Sequence, residues 1–146
     1  MHINVCVCTY HRPELLRRLL SGLCAQETQG RFNYSIIVVD NDREMSAKNI
    51  VQRISFDQVV RITYFVEPIK SISLARNRAV ENAEGELIAF IDDDEIPPNN
   101  WLLLLFDTLE KYQISGVFGP VRALFDLEPP KWIIKGRFFD RPEHHT

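Results

Sequence analysis

The sequence predicts an α/β fold, in which a mostly parallel sheet carries helices on both of its faces. Two observations lead to this prediction. Short apolar runs typical of buried strands alternate along the chain with segments whose apolar residues recur at helical spacing. Polar residues directly follow three of the apolar runs, which in an open α/β sheet is the position where ligands bind.

The first half of the chain predicts two strands, each followed by a helix. The strands cover residues 3–8 and 35–39, where apolar side chains predominate. Pro13 suits the first turn of a helix, and leucines then repeat at helical spacing, namely Leu15, Leu16, Leu19, Leu20 and Leu23. A weaker helix is predicted over residues 45–54.

A third strand is predicted over residues 59–66, followed by a helix with a small-residue face. Ser73 is the predicted N-cap, because a serine hydroxyl can accept a hydrogen bond from a backbone N–H of the first turn. Gly85 marks the predicted end of this helix. Its buried side is formed by Leu74, Ala75, Ala79 and Ala83.

The last predicted elements are a fourth strand over residues 87–91, a leucine-rich helix over residues 101–112, and a fifth strand within residues 116–124. Asn99 or Asn100 is the expected N-cap of the leucine-rich helix.

Composition and charge exclude several classes of protein. Hydrophobic residues make up 45% and charged residues 25% of the 146 positions, as in ordinary globular proteins, and a net charge of −3 argues against a nucleic-acid binder. The longest apolar run, residues 101–106, is far too short to span a bilayer, and no signal peptide is predicted. Cys6, Cys8 and Cys24 fit neither a disulfide framework nor a zinc site. We therefore expect a cytoplasmic protein.

Four acidic residues, Asp92, Asp93, Asp94 and Glu95, follow the fourth predicted strand. Like charges about 4 Å apart repel by roughly 1 kcal/mol even in water, so folding alone gives no reason for this arrangement. A divalent cation does, because hard cations bind carboxylate oxygens and are often shared with phosphates. The leading interpretation is a metal–phosphate site, and a solvated acidic turn near a helix N-terminus is the alternative.

The ends of the predicted strands also carry groups that could hold a nucleotide. Tyr10 could stack on a base, and Asp40 could accept a hydrogen bond from a base N–H or a ribose hydroxyl. Arg12, Arg76 and Arg78 could face phosphates, although each alone is equally consistent with a solvated charge, and Tyr10 with simple packing. Neither G-x-x-x-x-G-K-[ST] nor G-x-G-x-x-G follows the first strand. A bound diphosphate would therefore be neutralised by a metal and by basic side chains.

Five segments, in order along the chain, carry a resemblance to a known family. Residues 8–13, Cys-Thr-Tyr-His-Arg-Pro, resemble the opening of family 2 glycosyltransferases of the GT-A fold, together with Leu15, Leu19 and Gln26 after them. The other matching segments are Val-Val-Asp-Asn at 38–41, Ser-Leu-Ala-Arg-Asn-Arg-Ala at 73–79, Asp-Asp-Asp at 92–94, which matches the D-x-D motif of that family, and Gly-Pro-Val at 119–121. Each segment alone is a weak signal, but five in sequence are specific.

The resemblance implies a donor that is a nucleotide-diphosphate sugar, commonly a UDP-sugar, bound together with Mg²⁺ or Mn²⁺. It implies transfer of the sugar, with inversion, to a hydroxyl of a glycan or lipid-linked acceptor in cell-envelope polysaccharide biosynthesis. By motif position, nucleotide binding falls to Thr9, Tyr10, Arg12, Asp40, Arg76 and Asp92, and metal binding to Asp94.

Two features depart from the pattern of the family. His11 stands where the family usually has Asn. No acidic motif carrying a catalytic base follows Val121, so the resemblance implies that this base lies beyond Thr146 and that the chain is incomplete at its C-terminus. Residues 1–124 are accordingly predicted to be the nucleotide-sugar-binding domain, and residues 125–146 the start of an acceptor-side region.

Other functions stay open on the sequence alone. The missing base motif favours a nucleotide-sugar-binding module or fragment without turnover. A receiver-like signalling domain has a similar size and fold but requires acidic residues after the first strand. This chain has Thr9, Tyr10 and His11 there, which argues against that alternative. An apolar surface left uncovered by a missing acceptor region would favour self-association.

The segment 126–146 is rich in large apolar side chains without a regular period, namely Trp132, Ile133, Ile134, Phe138 and Phe139. We expect them to pack on this domain or on further chain. With Lys131, Lys135 and Arg137, the segment could alternatively bind a membrane surface, which would place the protein at the inner face of the membrane.

Overall fold

The computed structural model of the chain describes residues 1–56 and 58–139. Its elements are, in order, β1 (His2–Thr9), α1 (Pro13–Cys24), β2 (Asn33–Asp40), α2 (Lys48–Phe56), β3 (Ile62–Val66), α3 (Ile72–Glu81), β4 (Leu87–Asp92), α4 (Trp101–Tyr112) and α5 (Lys131–Gly136). The chain divides into two compact units, residues 1–106 and 107–146, whereas the predicted domain boundary falls at 124/125. Residues 140–146 of the predicted acceptor-side region lie outside the described part of the chain.

The four strands form one parallel sheet in the order β3-β2-β1-β4. β1 is paired with β2 up to Thr9 and Asp40, and with β4 up to Cys8 and Asp92. Parallel strands end at the same edge of a sheet, so the polar residues that follow β1, β2 and β4 come together there. The predicted parallel sheet is confirmed.

Both faces of this sheet carry helices, as predicted. Successive strand residues point to opposite sides of a sheet, and apolar side chains on both sides of these strands pack against helices. On one face, Val5 and Val38 belong to a large core that includes the buried leucines of α1. On the other face, Cys6 belongs to a smaller core with Ala75 and Ala79 of α3. The small side chains of the two alanines let α3 lie close to the sheet, next to the edge where the strands end.

The predicted fifth strand is wrong. Residues 116–124 have no regular secondary structure, and the side chain of Phe118 is fully exposed. A strand requires a neighbour for its backbone hydrogen bonds, and in the described part of the chain the sheet ends at β4. The β propensity of residues 116–124 does not predict their structure, because β propensity reflects packing on a half-buried surface more than a preference of the backbone itself.

Helix α3 begins and ends earlier than predicted. Its N-cap is Ser71 rather than Ser73, and the Ser71 hydroxyl accepts a hydrogen bond from a backbone N–H of the first turn at 3.4 Å. Its last residue is Glu81, so Gly85 does not cap it. A Cβ atom on Gly85 would lie 2.5 Å from the carbonyl oxygen of His2, so the glycine is required by the close approach of two backbones.

The second unit contains a six-residue helix, α5, in the segment whose sequence showed no period. The rings of Trp132 and Phe138 lie 5.9 Å apart, and those of Phe125 and Phe139 lie 5.6 Å apart. These four side chains are still 43–67% exposed, so the expected packing of the tail is only partial among the described residues. None of the helices that the structure describes has both the length and the apolar character needed to cross a membrane.

Candidate functional site

The carboxyl ends of β1, β2 and β4 border a cleft of about 520 Å³ within the first unit. Of the seven predicted site residues, the cleft is lined by Thr9, Tyr10, Arg12, Arg76, Asp92 and Asp94. It is also lined by residues that the motif assignment left out, namely Cys8, Asn41, Lys70, Ser71, Ile72 and Asp93. The seventh predicted residue, Asp40, is not part of the lining.

Two arginines neutralise the acidic cluster that follows β4. Arg12 Nη1 donates to Asp93 Oδ1 at 3.1 Å and to Asp94 Oδ2 at 3.2 Å, and Arg76 Nη2 donates to Asp92 Oδ1 at 3.1 Å. The hydrogen bond from Arg12 to Asp93 raises the pKa of the arginine above its ordinary value. The arginines are about half exposed, and exposed ion pairs contribute at most about 1 kcal/mol. The pairs of Arg12 with Asp94 and of Arg76 with Asp92, whose carboxylates are exposed, can therefore exchange partners when a cation takes the place of the arginine.

The middle aspartate of the cluster has a structural role. Asp93 is buried, and its Oδ2 accepts a hydrogen bond from the hydroxyl of Thr9 at 2.8 Å. Together with Arg12, this bond ties the end of β1 to the loop that follows β4. Thr9 is itself buried, so its hydroxyl is committed to Asp93 rather than free in the cleft.

The other two aspartates can hold a cation. The side chains of Asp92 and Asp94 are 63% and 54% exposed, and carboxylate oxygens suit Mg²⁺ or Mn²⁺. Within residues 1–56 and 58–139, no group of three or more histidine, cysteine or acidic side chains is arranged around a common metal position. The donor set therefore fits a cation that takes one or two carboxylates and completes its shell with phosphate or water.

Asp40 is fully buried beside the cleft, at the end of β2. Its Oδ2 accepts hydrogen bonds from the N–H of Ala47 and the hydroxyl of Tyr64, both at 2.8 Å, and its Oδ1 accepts one from the N–H of Asp42 at 3.2 Å. Burial, followed by the bond to Asp40, raises the pKa of Tyr64 far above its ordinary value. The carboxylate thus organises the loop after β2, and its predicted contact with a nucleotide stays a prediction.

The next residue, Asn41, does line the cleft, and its side chain holds a neighbouring loop. Its Nδ2 donates to the carbonyl oxygens of Glu67 at 2.9 Å and Ile69 at 2.6 Å, and its Oδ1 accepts from the N–H of Ser71 at 2.8 Å. These three bonds fix the loop 67–71, which leads into α3. They also place Lys70 at the rim of the cleft.

Arg78 is directed away from the cleft, contrary to its suggested position near phosphates. Its Nε donates to Glu67 Oε2 at 3.1 Å, and the carboxylate of Glu67 is 10% exposed. Residues 76 and 78 lie two positions apart on a helix and so point in different directions. Of these two arginines of α3, Arg76 is the one that faces the acidic cluster.

Tyr10 presents its ring to the cleft and is 37% exposed. The ammonium group of Lys70 lies 4.3 Å from the ring centroid, and the ring of His11 contacts it edge to face at 4.3 Å. A partly exposed aromatic ring that lines a cleft suits the stacking of a nucleic base. Lys70 had no signal in the sequence beyond its charge.

His11 is explained by its backbone conformation. Its φ of 53° lies in the left-handed region, where Asn, Asp and His are enriched among non-glycine residues. Substitution of His for the usual Asn therefore keeps the turn after β1. The imidazole Nε2 lies 3.6 Å from Asp42 Oδ2, and the backbone N–H of Glu44 holds the pKa of Asp42 below its ordinary value.

Cys8 lines the cleft but is a poor nucleophile. Burial raises its pKa to about 11, opposed in part by the nearby charge of Arg76. The thiol is therefore protonated at neutral pH, and the thiolate is the reactive form of cysteine. Its position beside Cys6, which is fully buried, indicates a packing role.

Residues 4–144 match the family model described as glycosyl transferase family 2. The succinoglycan biosynthesis protein ExoM of Rhizobium meliloti is 39% identical over 138 residues, which cover 94% of this chain and 44% of that protein. Glycosyltransferase AglE of Haloferax volcanii is 28% identical over 126 residues, which cover 84% of this chain and 40% of that protein. The chain thus spans about two fifths of the length of these curated relatives.

Solved structures share the fold. S. aureus TarS in complex with UDP-GlcNAc superposes with a TM-score of 0.68 at 21% identity, over 83% of this chain and 37% of that one. Mannosyltransferase PcManGT from Pyrobaculum calidifontis, in complex with GDP-Man and Mn²⁺, gives a TM-score of 0.59 at 23% identity, over 66% of this chain and 28% of that one. At these identities the likeness shows the fold, which is the GT-A fold that the sequence resemblance implied.

Proposed function

The chain belongs to glycosyl transferase family 2, and we propose that it binds a nucleotide-diphosphate sugar, a UDP-sugar, for transfer to an acceptor hydroxyl. The observation that carries this proposal is the cleft at the strand ends, where Arg12 and Arg76 meet the exposed carboxylates of Asp94 and Asp92. The complex of TarS with UDP-GlcNAc supports the nature of the donor.

In the proposed complex, the base stacks on the exposed ring of Tyr10. The carboxylate of Asp92 accepts a hydrogen bond from a ribose hydroxyl. Thr9 and Asp40 contribute indirectly, because both are buried and already hydrogen-bonded within the protein. We propose that they hold the cleft walls in place rather than touch the nucleoside.

The diphosphate lies between the arginines and the acidic cluster. Arg12 and Arg76 leave the aspartates and donate to phosphate oxygens, since charge-assisted bonds to phosphate are among the strongest that arginine forms. Asp94 is then free to hold Mg²⁺ or Mn²⁺. Such a cation, when bound, stabilises the negative charge that develops on the leaving nucleoside diphosphate. The Mn²⁺ complex of PcManGT supports this part of the proposal.

The reaction proposed for the whole enzyme is attack of an acceptor hydroxyl on the anomeric carbon, with inversion and with help from a general base. The names of relatives, such as the succinoglycan biosynthesis protein ExoM, support a glycan or lipid-linked acceptor and a role in cell-envelope polysaccharide synthesis. The proposed location is the cytoplasm, where nucleotide sugars would be available, at the inner face of the membrane if the apolar tail binds lipid.

A second candidate function is a nucleotide-sugar-binding module without turnover. It is supported by the same cleft, because the three aspartates among its described lining residues are each paired with an arginine, and none of them is a free base for an acceptor. Donor binding without release of free UDP or formation of a glycoside would distinguish this candidate from the transferase.

Calorimetric titration of UDP tests the donor site, with Mn²⁺ and then with EDTA, and with GDP and ADP as controls. We expect UDP-selective binding that weakens by about tenfold or more when the cation is removed, in line with the loss of a charge-assisted contact. In Asp94→Asn, the affinity for UDP should no longer depend on Mn²⁺.

Glu14→Gln is the matched control, because Glu14 is an exposed carboxylate paired with Arg17 outside the cleft. Its affinity should equal that of the wild type. Equal Mn²⁺ dependence in Asp94→Asn and the wild type would refute the metal assignment, and no nucleotide binding by a folded wild-type chain would refute the donor site itself.

A further inference from the structure

We propose that Lys70 is a further donor-binding residue, whose ammonium group contacts the diphosphate of the nucleotide sugar. This inference rests on the proposed function and extends it to a residue outside the family motifs. The cleft is lined by three basic side chains, those of Arg12, Arg76 and Lys70. The inference rests on a difference between them, which is whether they already have a carboxylate partner.

Both arginines already have carboxylate partners. Arg12 is paired with Asp93 and Asp94, and Arg76 with Asp92, at 3.1–3.2 Å. A phosphate that recruits either arginine must first break an ion pair and leave a carboxylate without its counter-charge. Such an exchange is favourable only when a cation takes the place of the arginine.

Lys70 differs from the two arginines in this respect. Within residues 1–56 and 58–139 it forms no ion pair, and its ammonium group lies over the ring of Tyr10 at 4.3 Å from the centroid. A cation–π contact at an exposed site is weak, and its loss, unlike the loss of an ion pair, leaves no carboxylate without a counter-charge. Lys70 is thus the cleft cation most readily available to a phosphate.

The backbone of Lys70 is held in place while its side chain is exposed. Asn41 bonds to the carbonyl of Ile69 on one side of it and to the N–H of Ser71 on the other. A fixed backbone beside the cleft lowers the entropy that must be lost on binding, because only the side chain has to be ordered. The bonds of Asn41 therefore fix the backbone from which the Lys70 side chain reaches the cleft.

Movement of Lys70 has a second consequence, because the ring it covers is the one proposed to stack on the base. When the ammonium group turns to a phosphate, that face of Tyr10 becomes open. A nucleoside without phosphate cannot draw Lys70 away, so it must compete with the ammonium group for the ring. Loss of the charge at position 70 should then have opposite effects on nucleotides and on the nucleoside.

Binding of uridine, UMP and UDP to Lys70→Met, in the presence of Mn²⁺, tests the proposal. We expect UDP to bind Lys70→Met about tenfold more weakly than the wild type, as for the loss of one charge-assisted contact. The affinity for UMP should fall less, and uridine should bind equally well or more tightly. Lys70→Arg should restore most of the affinity for UDP. Lys48→Met removes the same charge from an exposed position at the start of α2, outside the cleft, and should bind all three as the wild type does.

An equal weakening of uridine, UMP and UDP would overturn the proposal, since it would mean that Lys70 only supports the wall on which the base stacks. Unchanged UDP binding would overturn it as well, and would leave the donor site itself intact. If the wild-type chain binds none of the three, the proposed function fails and the role of Lys70 fails with it.

Discussion

Two groups of aspartates lie at the same edge of the sheet and have different surroundings. At the end of β2, Asp40 is fully buried, and both of its carboxylate oxygens accept hydrogen bonds, from Tyr64 and from backbone N–H groups such as that of Ala47. At the end of β4, Asp92 and Asp94 are more than half exposed, and their side-chain partners are arginines.

Position at the end of a strand therefore does not decide whether an aspartate stabilises the fold or stays available to a ligand. After β2 the chain turns back, and its backbone N–H groups reach the carboxylate and satisfy it inside the protein. At the end of β4, the carboxylates of Asp92 and Asp94 receive exposed guanidinium groups, which can be exchanged for a cation. An aspartate that is satisfied by the backbone stabilises the fold, whereas one that is satisfied by an exposed ion pair stays available to a ligand.

The largest effect is expected for Asp40→Asn. The substitution keeps the size of the side chain but places an amide NH₂ against donors, and it leaves buried N–H or O–H groups without an acceptor. We expect a loss of about 2–4 kcal/mol in the free energy of unfolding, measured by urea denaturation.

Asp94→Asn should change the same quantity by less than about 0.5 kcal/mol, because surface substitutions have small effects. Comparable losses in Asp40→Asn and Asp94→Asn would break the distinction between the two groups of aspartates.

A smaller effect is expected for Asn41→Ala, which removes the three bonds that hold the loop 67–71. The free energy of unfolding should fall by about 2 kcal/mol, and hydrogen exchange at the N–H of Ser71 should become faster because that group loses its acceptor.

Asn82→Ala is a suitable control, because the amide of Asn82, the C-cap of α3, donates to the carbonyl oxygen of Arg78 in the same helix and not to the loop 67–71. If Asn41→Ala left both stability and exchange at Ser71 unchanged, the loop would be held by other contacts.

The smallest effect is expected at Asp42 and is a change in how steeply stability falls in acid. The N–H of Glu44 lowers the pKa of Asp42 from 3.8 in the folded chain, so its contribution to stability is present above about pH 4 and is lost as the pH falls through the lowered pKa. Asp42→Asn should therefore lose less stability than the wild type below pH 4. Parallel acid titrations of the two proteins, followed by circular dichroism, would detect the difference, and identical curves would contradict it.

Much of the fold could be predicted because its signals are local. The leucines of α1 recur at helical spacing, the strands β1, β2 and β4 are apolar runs, and the acids from Asp92 onward follow the last of them directly. Periodicity and charge repulsion involve residues that are close in sequence, so they can be read without knowledge of the rest of the chain. The predicted fifth strand failed because pairing depends on a neighbour that is distant in sequence.

The candidate site could be predicted only where a residue type restricts the chemistry. Arg12, Arg76, Asp92 and Asp94 do line one cleft, although their roles there stay predictions. Asp40 does not line it, and Arg78 is paired instead with Glu67, which lies in a loop. Lys70 and Asn41 were missed as cleft residues for a related reason. Their roles depend on hydrogen bonds between β2 and the loop 67–71, which local sequence does not reveal.

The sequence by itself determined the parallel α/β fold, the edge at which polar groups collect and the family to which the chain belongs. Only the tertiary structure decided that Asp40 is buried and already hydrogen-bonded, that Asp92 and Asp94 are exposed, and that Lys70 lies over Tyr10. The physical reason is that residue type sets which interactions a side chain can form. The contacts brought together from distant parts of the chain decide which of them are already satisfied within the protein and which are left for a ligand.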